Sequence, residues 1–383
     1  MSLLDKASLV ITPNAVKAGK LYSVIPNTTL GDMDVVRATT ATRVNSLGLI
    51  ESVAVNVPRI DYTNGSCPSL LVEGQRTNLK SYSDYMSTLG WVRGSGVIYT
   101  ENQLSPQNLN NALLAEGLTG TGLVSIGSIA SNVAVTSGVT YTFSIYAKLK
   151  TVSSNNFRIR IKSNSSSTNF YTNTLLTTDS WKRVSLTVTV PIGDTNFDLS
   201  IGTLSGTIDV YLFGAQIEQG SYASSYIPTV ASTVTRNADI ISNNNLISKG
   251  LIINDYVLFI DITNPILGSQ FILDSRDISS LRTGIIRVDG TTASVTDITG
   301  GSSLSILNVL TIGKGKMCLK RTGNVISFFA NGVKCASTTT TTAGTINTLS
   351  TGVTNSTVPS YINSIVLFPT ALTDTECIQL TTL

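Results

Sequence analysis

The residue types that support most hydrolytic catalysis are scarce in this chain of 383 residues. It contains no histidine, which excludes Ser-His-Asp and Cys-His nucleophilic catalysis because both need an imidazole base. Glycoside cleavage by two carboxylates is the enzymatic alternative that remains. None of the glutamates lies in a strand that alternates carboxylates as E-x-D-x-x-E; they are Glu51, Glu73, Glu101, Glu116, Glu218 and Glu376.

Two pairs of aspartates lie close enough in sequence to act together. Asp255 and Asp261 flank the predicted strand YVLFI near its opposite ends, and Asp274 and Asp277 lie in LDSRD, which is typical of a turn. Each pair could be an acid/base pair or a set of solvated turn residues. We favour turn residues, and we therefore expect that the protein is not an enzyme.

Loop carboxylates could also bind a structural calcium ion, which takes several oxygen ligands. Asp194 and Asp198 in IGDTNFD, or the pair Asp274 and Asp277, could contribute them. Because their spacing matches no specific calcium-binding loop, we predict no cofactor and name no metal ligand. A structural calcium ion remains the alternative.

An aromatic ring beside guanidinium groups could bind a sugar ring together with its hydroxyl or carboxylate groups. Tyr146 falls on the polar face of the predicted strand 141–149, and Arg158 and Arg160 fall on the polar face of 157–162. If these two strands pair, the three side chains share one face. Tyr146, Arg158 and Arg160 are therefore the candidate glycan-binding residues. An ordinary amphipathic outer face or a subunit interface is the alternative explanation.

The elements that carry these residues are predicted to be short antiparallel strands. In 157–162 the apolar residues Phe157, Ile159 and Ile161 alternate with cations, and 141–149 and 182–190 alternate in the same way. One apolar and one polar face per strand is what a two-sheet sandwich requires. The sequence therefore predicts an all-β fold.

Composition along the chain indicates four parts. Residues 81–236 and 251–383 are predicted to form two tandem antiparallel β-sandwiches. Residues 237–250 are predicted to be a linker, because Asn243, Asn244 and Asn245 favour turns. Residues 1–80 contain few long apolar runs, so we expect a separate short β-rich segment that buries little surface by itself.

Local signals define the end of the chain more closely. Asn331-Gly332 between alternating runs predicts a hairpin, because both central residues of a type I′ turn need a positive φ. Together with Thr322-Gly323 this predicts a three-stranded meander. Thr373 and Glu376 have capping-box spacing, which predicts a short terminal helix from Thr373 to about Leu380.

The four cysteines are Cys67, Cys318, Cys335 and Cys377, and none forms a C-x-x-C pair. The meander places Cys318 and Cys335 two strands apart, about 9–10 Å, which is too far for a disulfide. We interpret all four as buried thiols.

The charge and the hydropathy of the chain argue against nucleic acids and membranes as partners. Charged residues make up 13% of the chain, and the net charge of +3 is spread without Lys/Arg runs, unlike the basic stripe of nucleic-acid-binding proteins. No stretch reaches the roughly 18 apolar residues of a membrane span. Asp5 and Lys6 interrupt the N-terminus MSLLDKASLVITP, which predicts no secretory signal. We expect no nucleic acid partner and no membrane insertion.

Three blocks of the sequence carry a resemblance to known proteins. YLFGAQIEQGSYASSYIPTVASTVTR (211–236) resembles the closing strand of a carbohydrate-binding-module-like sandwich that is common in tailed-phage virion proteins. YINSIVLFPTALTDTECIQLTTL (361–383) resembles the end of a concanavalin A-like, laminin-G-like jelly roll. VVRATTATRVNSLGLIE and VPRIDYTNGSCPSLLVEGQRTNL are similar to an N-terminal segment of virion structural proteins, often from phages of Bacteroidetes.

The resemblance implies a non-enzymatic virion structural protein with two lectin-like sandwiches on the particle surface, as a head fibre, capsid decoration or tail appendage. Residues 1–80 would be its attachment and oligomerisation segment. Its partners would be other capsid or tail proteins, further copies of itself in a dimer or trimer, and host surface glycans bound weakly. It would be located in the virion, after assembly in the cytoplasm of the host bacterium. A dedicated glycan-binding tail adhesin, or a polysaccharide depolymerase, is the alternative.

Overall fold

The computed structural model of the chain divides into two compact units. Unit 1 consists of Met1–Gly48, Ser52–Gln75 and Asn237–Leu383, and unit 2 consists of Leu49–Glu51 and Arg76–Arg236. Unit 2 is thus inserted into the sequence of unit 1. The structure describes all residues except 1, 84–88, 95, 120–123, 126–132, 253, 265–269, 278, 280–281, 290–291, 298–301, 307–312, 340–344 and 352–358.

Nearly every regular element is a strand. A short 3₁₀ helix (Leu3–Lys6) precedes β1 (Leu9–Lys17), β2 (Lys20–Ile25), β3 (Met33–Val36), β4 (Ala41–Val44), β5 (Ile50–Val53), β6 (Arg59–Asp61) and β7 (Ser69–Val72). The next strands are β8 (Arg76–Asn78), β9 (Ile98–Leu104), β10 (Asn110–Thr119), β11 (Val124–Ser125), β12 (Val133–Ala134), β13 (Thr140–Leu149), β14 (Phe157–Ser163), β15 (Asn169–Thr174), β16 (Lys182–Thr189), β17 (Asn196–Thr203), β18 (Thr207–Gln219) and β19 (Val234–Arg236). The last elements are β20 (Ile240–Asn244), β21 (Tyr256–Asn264), β22 (Gln270–Arg276), β23 (Arg282–Asp289), β24 (Thr292–Asp297), β25 (Ser302–Ile306), β26 (Gly313–Thr322), β27 (Val325–Ala330), β28 (Val333–Thr339), β29 (Thr348–Thr351), β30 (Ser360–Phe368) and helix α1 (Asp374–Thr381).

In unit 2, two antiparallel sheets pack face to face around an apolar core. One sheet has the strand order β16-β13-β18-β10-β9, and the other has the order β11-β17-β14-β15 with β12 also paired to β17. Phe143 and Ile145 from the first sheet and Phe157, Ile159 and Ile161 from the second are fully buried in this core. The predicted alternation and the all-β fold are confirmed.

Lys80 is a buried cation in unit 2. Its Nζ donates a hydrogen bond of 2.8 Å to the carbonyl oxygen of Gly90 and lies 4.4 Å from the ring centre of Trp91. Burial lowers the pKa of Lys80 to about 8, because an apolar environment disfavours the charged ammonium group. The charged form of Lys80 therefore opposes folding.

We predict that unit 2 gains about 3 kcal/mol of stability as the pH rises from 8 to 10.5. In this range the unfolded chain keeps the Lys80 proton and the folded chain releases it, so raising the pH favours the folded state. Urea unfolding at both pH values measures the gain. The variant Lys80→Met should lack it, and an equal pH dependence in both proteins would contradict the prediction.

In unit 1, strands from both ends of the chain form one continuous sheet path. Among the described residues its order is β25-β24-β23-β22-β29-β20-β3-β2-β1-β30-β21-β26-β27-β28. Strand β25 at one end lies against β28 at the other, so the path curls back on itself. Its core contains side chains from the N-terminal strands, such as Leu9 and Leu70, together with Leu258 and Phe328 from the C-terminal strands.

Strand β30 shows that residues 1–80 are not a separate segment. One edge of β30 pairs with β21, and the other edge pairs with β1 and β7. Strand β20, which lies within the predicted linker 237–250, pairs with β3 and β29. This corrects the division into 1–80, 81–236, 237–250 and 251–383. The tandem arrangement is replaced by the insertion of unit 2 into the sequence of unit 1, since local patterns do not reveal pairing between distant strands.

The signals near the C-terminus led to correct local predictions. Strands β26, β27 and β28 form the three-stranded meander, and Asn331 and Gly332 have φ values of 47° and 81°. Helix α1 begins after the N-cap Thr373, and the capping box with Glu376 is present. No helix among the described residues is long and apolar enough to cross a membrane.

A network of buried charges lies where the chain leaves unit 1 and returns to it. Arg59 donates to Glu73 over 2.7 Å and also pairs with Asp239, and Arg37 donates to Asp239 over 2.8 Å. All four side chains are at most 2% exposed. Burial alone would lower the pKa of Arg59, but Asp239 and Glu73 outweigh it and raise that pKa. The network joins residues before the insertion to Asp239 after it.

A buried carboxylate organises the closing loop of unit 2. Glu218 on β18 accepts hydrogen bonds from the backbone N–H of Ser224 over 2.8 Å and from its hydroxyl over 2.6 Å. Gln216 donates to Glu218 over 2.6 Å and accepts from the backbone of Ile227 over 2.7 Å. These bonds give a physical role to the residues GAQIEQGSYASSYIPT, because they hold the loop after β18.

The cysteines are free thiols, but only two of the four are buried. Cys318 and Cys377 are buried, Cys335 is partly buried, and Cys67 is exposed. The interpretation of all four as buried thiols was therefore wrong for Cys67, which lies in the loop between β6 and β7, and only partly correct for Cys335.

Candidate functional site

The residues on the outer face of β15, β14 and β17 in unit 2 form three rows, and all of them except Gly202 carry polar side chains. The rows across these strands are Asn173-Arg158-Gly202, Tyr171-Arg160-Ser200 and Asn169-Lys162-Asp198. We call these nine residues the basic face. Strand geometry gives it dimensions of about 10 Å across the strands and about 13 Å along them. It is large enough for a short oligosaccharide.

Arg158 and Tyr171 form the stacked centre of the basic face. The Arg158 guanidinium lies 4.9 Å from the ring centre of Tyr171, and its Nε donates a hydrogen bond of 2.8 Å to Asn173 Oδ1. Tyr171 is 44% exposed. An open aromatic ring beside a guanidinium of fixed orientation can stack on a sugar ring and donate to its oxygens.

Arg160 is more firmly held than Arg158. Its Nε donates to Ser200 Oγ over 2.9 Å, and its NH1 donates to Asn169 Oδ1 over 3.4 Å. By contrast, Lys162 Nζ makes no hydrogen bond or ion pair with any residue that the structure describes. Lys162 and Arg158 therefore offer the most available donors on the face.

Tyr146 is not part of the basic face. It lies on β13, which pairs with β16 and β18, whereas Arg158 and Arg160 lie on β14 in the other sheet. The Tyr146 ring is partly buried against Phe213 and Tyr226, and Arg183 stacks on it at 5.1 Å. The structure thus separates Tyr146 from Arg158 and Arg160, because the assumed pairing of their strands does not occur.

Tyr171, the aromatic residue that does lie beside the two arginines, was not predicted from the sequence. The signal was present in NFYTNT, where Asn169, Tyr171 and Asn173 alternate with partly buried neighbours. Its short length and lack of aliphatic residues concealed the strand. Period-two alternation would have placed Tyr171 on an outer face. It would not have revealed that Tyr171 lies opposite Arg160, because alternation does not identify the partner strand.

Asp194, one of the candidate calcium ligands, instead holds the turn between β14 and β15. It accepts hydrogen bonds from the hydroxyl groups of Ser163 and Ser166 and from the backbone N–H of Ser166. These hydrogen bonds lower the pKa of Asp194 to about 2. Within the described part of the chain, no three His, Cys, Asp or Glu residues are grouped so that they could hold a metal ion.

Comparison with known families bears on the same part of the chain. Residues 84–205 match the family model of a carbohydrate binding domain. Unit 2 is therefore a carbohydrate-binding-module-like β-sandwich, and the basic face lies inside the matched range. No curated protein matches the chain.

The solved structures that are similar to part of the chain include modules of carbohydrate-active enzymes. The CBM40 module of Ruminococcus gnavus IT-sialidase, bound to α2,3-sialyllactose, is 13% identical with a TM-score of 0.29, over 34% of this chain and 84% of that chain. The CBM22-1 xylan-binding domain of Paenibacillus barcinonensis Xyn10C is 16% identical with a TM-score of 0.30, over 39% and 94%. The CBM22-1-GH10 modules of Clostridium thermocellum Xyn10B are 14% identical with a TM-score of 0.31, over 41% and 30%.

Proposed function

We propose that the protein binds glycans through the basic face of unit 2. The observation that carries the proposal is the stacked pair of Arg158 and Tyr171 on an open sheet face, inside the part of the chain that matches a carbohydrate binding domain. Sugar sites combine an aromatic platform with a few polar groups of fixed orientation. Asn169 and Asn173 add amide groups at the edge of the same platform.

The variant Tyr171→Ala is expected to weaken glycan binding by about tenfold, because the sugar loses its stacking platform. Isothermal titration of the full chain with bacterial surface polysaccharides measures the change. Tyr22→Ala is the matched control, since Tyr22 in unit 1 also stacks with a cation, Lys17 at 5.3 Å. Equal binding by wild type and Tyr171→Ala, or an equal loss in the control, would contradict the assignment.

In the same proposal, the protein acts as a non-enzymatic structural protein on the surface of a tailed-phage particle. The support is the similarity of the long strings in 35–79, 211–236 and 361–383 to virion proteins. Immunogold labelling of purified particles tests it: capsid label indicates a head fibre or decoration protein, and tail label indicates an adhesin. An absence of label on intact particles would contradict it. Release of reducing ends from host polysaccharide would show a depolymerase instead.

A dimer or trimer remains a prediction. Residues 1–80 do not need a second subunit to bury their strands, because β1, β2, β3, β6 and β7 are paired within unit 1. Sedimentation of the full chain gives the mass of the assembly directly.

A further inference from the structure

We propose that the basic face selects acidic glycans, whose sugars carry carboxylate groups, over neutral ones. This inference rests on the proposed glycan binding by unit 2 and names the class of ligand. The selectivity follows from the net positive charge of the face, from the apolar core behind it and from the donor groups that remain available to a ligand.

The face carries three cations and one acid. Arg158, Arg160 and Lys162 occupy alternate positions of β14, about 6.6 Å apart in sequence order, and Asp198 is opposite Lys162 on β17. No ion pair joins Lys162 and Asp198 among the interactions of the described residues. The unbalanced positive charge attracts a polyanion, and a neutral glycan gains nothing from it.

The apolar core behind the basic face strengthens the attraction between its cations and an anionic ligand. Behind the three cations, Phe157, Ile159 and Ile161 point into the core of unit 2 and are 0% exposed. A low-dielectric wall on one side strengthens the attraction between a surface cation and an approaching carboxylate. The cations also stand on a central strand with partners on both sides, so their backbone positions are held before the ligand arrives.

The orientation of Arg158 suits a carboxylate in particular. Asn173 holds its Nε, and the Tyr171 ring lies 4.9 Å from its guanidinium carbon, so the two terminal nitrogens are left for an incoming ligand. A guanidinium in this position can donate two parallel hydrogen bonds to one carboxylate, which a hydroxyl group cannot accept in the same way. Lys162, about 13 Å further along the strand, can bind a second carboxylate of the same polymer.

The cations on the outer face of the other sheet are already engaged by the protein. Arg183 stacks on Tyr146 and donates to Ser144 over 3.0 Å, and Lys148 lies over Trp181 and Tyr211 at 5.6 and 5.4 Å. Lys148 is therefore a suitable control position, because its removal changes the net charge of unit 2 without changing the basic face.

The test compares glycans that differ in charge, with the full chain as the binding protein. The acidic probes are polygalacturonate, hyaluronan and polysialic acid, and the neutral probes are methyl-esterified polygalacturonate, xylan and dextran. We expect at least one acidic polymer to bind and its affinity to fall as NaCl is raised. Its affinity should exceed that of its neutral counterpart by about tenfold or more.

Variants assign the selectivity to the face. Arg158→Gln and Lys162→Gln should each weaken binding of the acidic polymer by about tenfold at unchanged thermal stability, and Lys148→Gln should not. Equal binding of acidic and neutral polymers, or equal effects of all three variants, would overturn the acidic selectivity and leave glycan binding intact. Binding of no polymer would overturn the proposed function itself.

Discussion

A fragment of residues 237–383, produced alone, is expected to show no cooperative unfolding transition. It lacks the eight core side chains that the N-terminal strands contribute: Leu9, Ile11, Leu21, Met33, Val35, Ile60, Leu70 and Val72. At roughly 1.5–3 kcal/mol for each buried side chain, their loss removes a stabilisation as large as the whole of the about 5–15 kcal/mol that stabilises a typical domain. One edge of β30 also loses its partners β1 and β7.

The geometry of the insertion supplies a matched control for this fragment. Arg76 and Arg236 are directly opposite each other on β8 and β19, so the two ends of the insertion are neighbours. A chain that joins residue 75 to residue 237 through two glycines should retain unit 1 and unfold cooperatively. Calorimetry and near-ultraviolet circular dichroism compare the two proteins. A cooperative transition in the isolated fragment would show that the N-terminal strands are dispensable.

The variant Asp239→Asn, in the network of buried charges, is expected to destabilise unit 1 by about 3–5 kcal/mol. Asp239 accepts from Arg37 and Arg59 and also from the backbone N–H of Glu73 over 3.0 Å. The amide keeps the shape of the side chain but removes the negative charge. It leaves two buried guanidinium groups with Glu73 as the remaining carboxylate of the network.

Urea unfolding of the glycine-joined form of unit 1 measures this effect without unit 2. Asp34→Asn is the matched control, because Asp34 pairs with Lys20 in an exposed ion pair whose loss costs at most about 1 kcal/mol. A change of less than about 1 kcal/mol in Asp239→Asn would mean that the network contributes little net stability.

Only part of the basic face could be predicted from the sequence. The alternation in FRIRIK was sufficient to place Arg158, Arg160 and Lys162 on one outer face, because the side chains of a strand alternate whatever its neighbours are. Their companions were not predictable in the same way. Tyr171 joins them through the pairing of β14 with β15, and Tyr146 is excluded because β13 belongs to the other sheet.

The same distinction holds for the whole chain. The sequence by itself determined the strands with a clear apolar alternation, such as 141–149 and 157–162, together with the type I′ turn at Asn331-Gly332 and the capped helix after Thr373, since these depend on neighbours within a few residues. Only the tertiary structure decided that β1 pairs with β30 and that Arg59 and Asp239 meet in the core. Backbone hydrogen bonds between strands are nearly the same for any pair of sequences, so the choice of partner depends on packing across the complete fold.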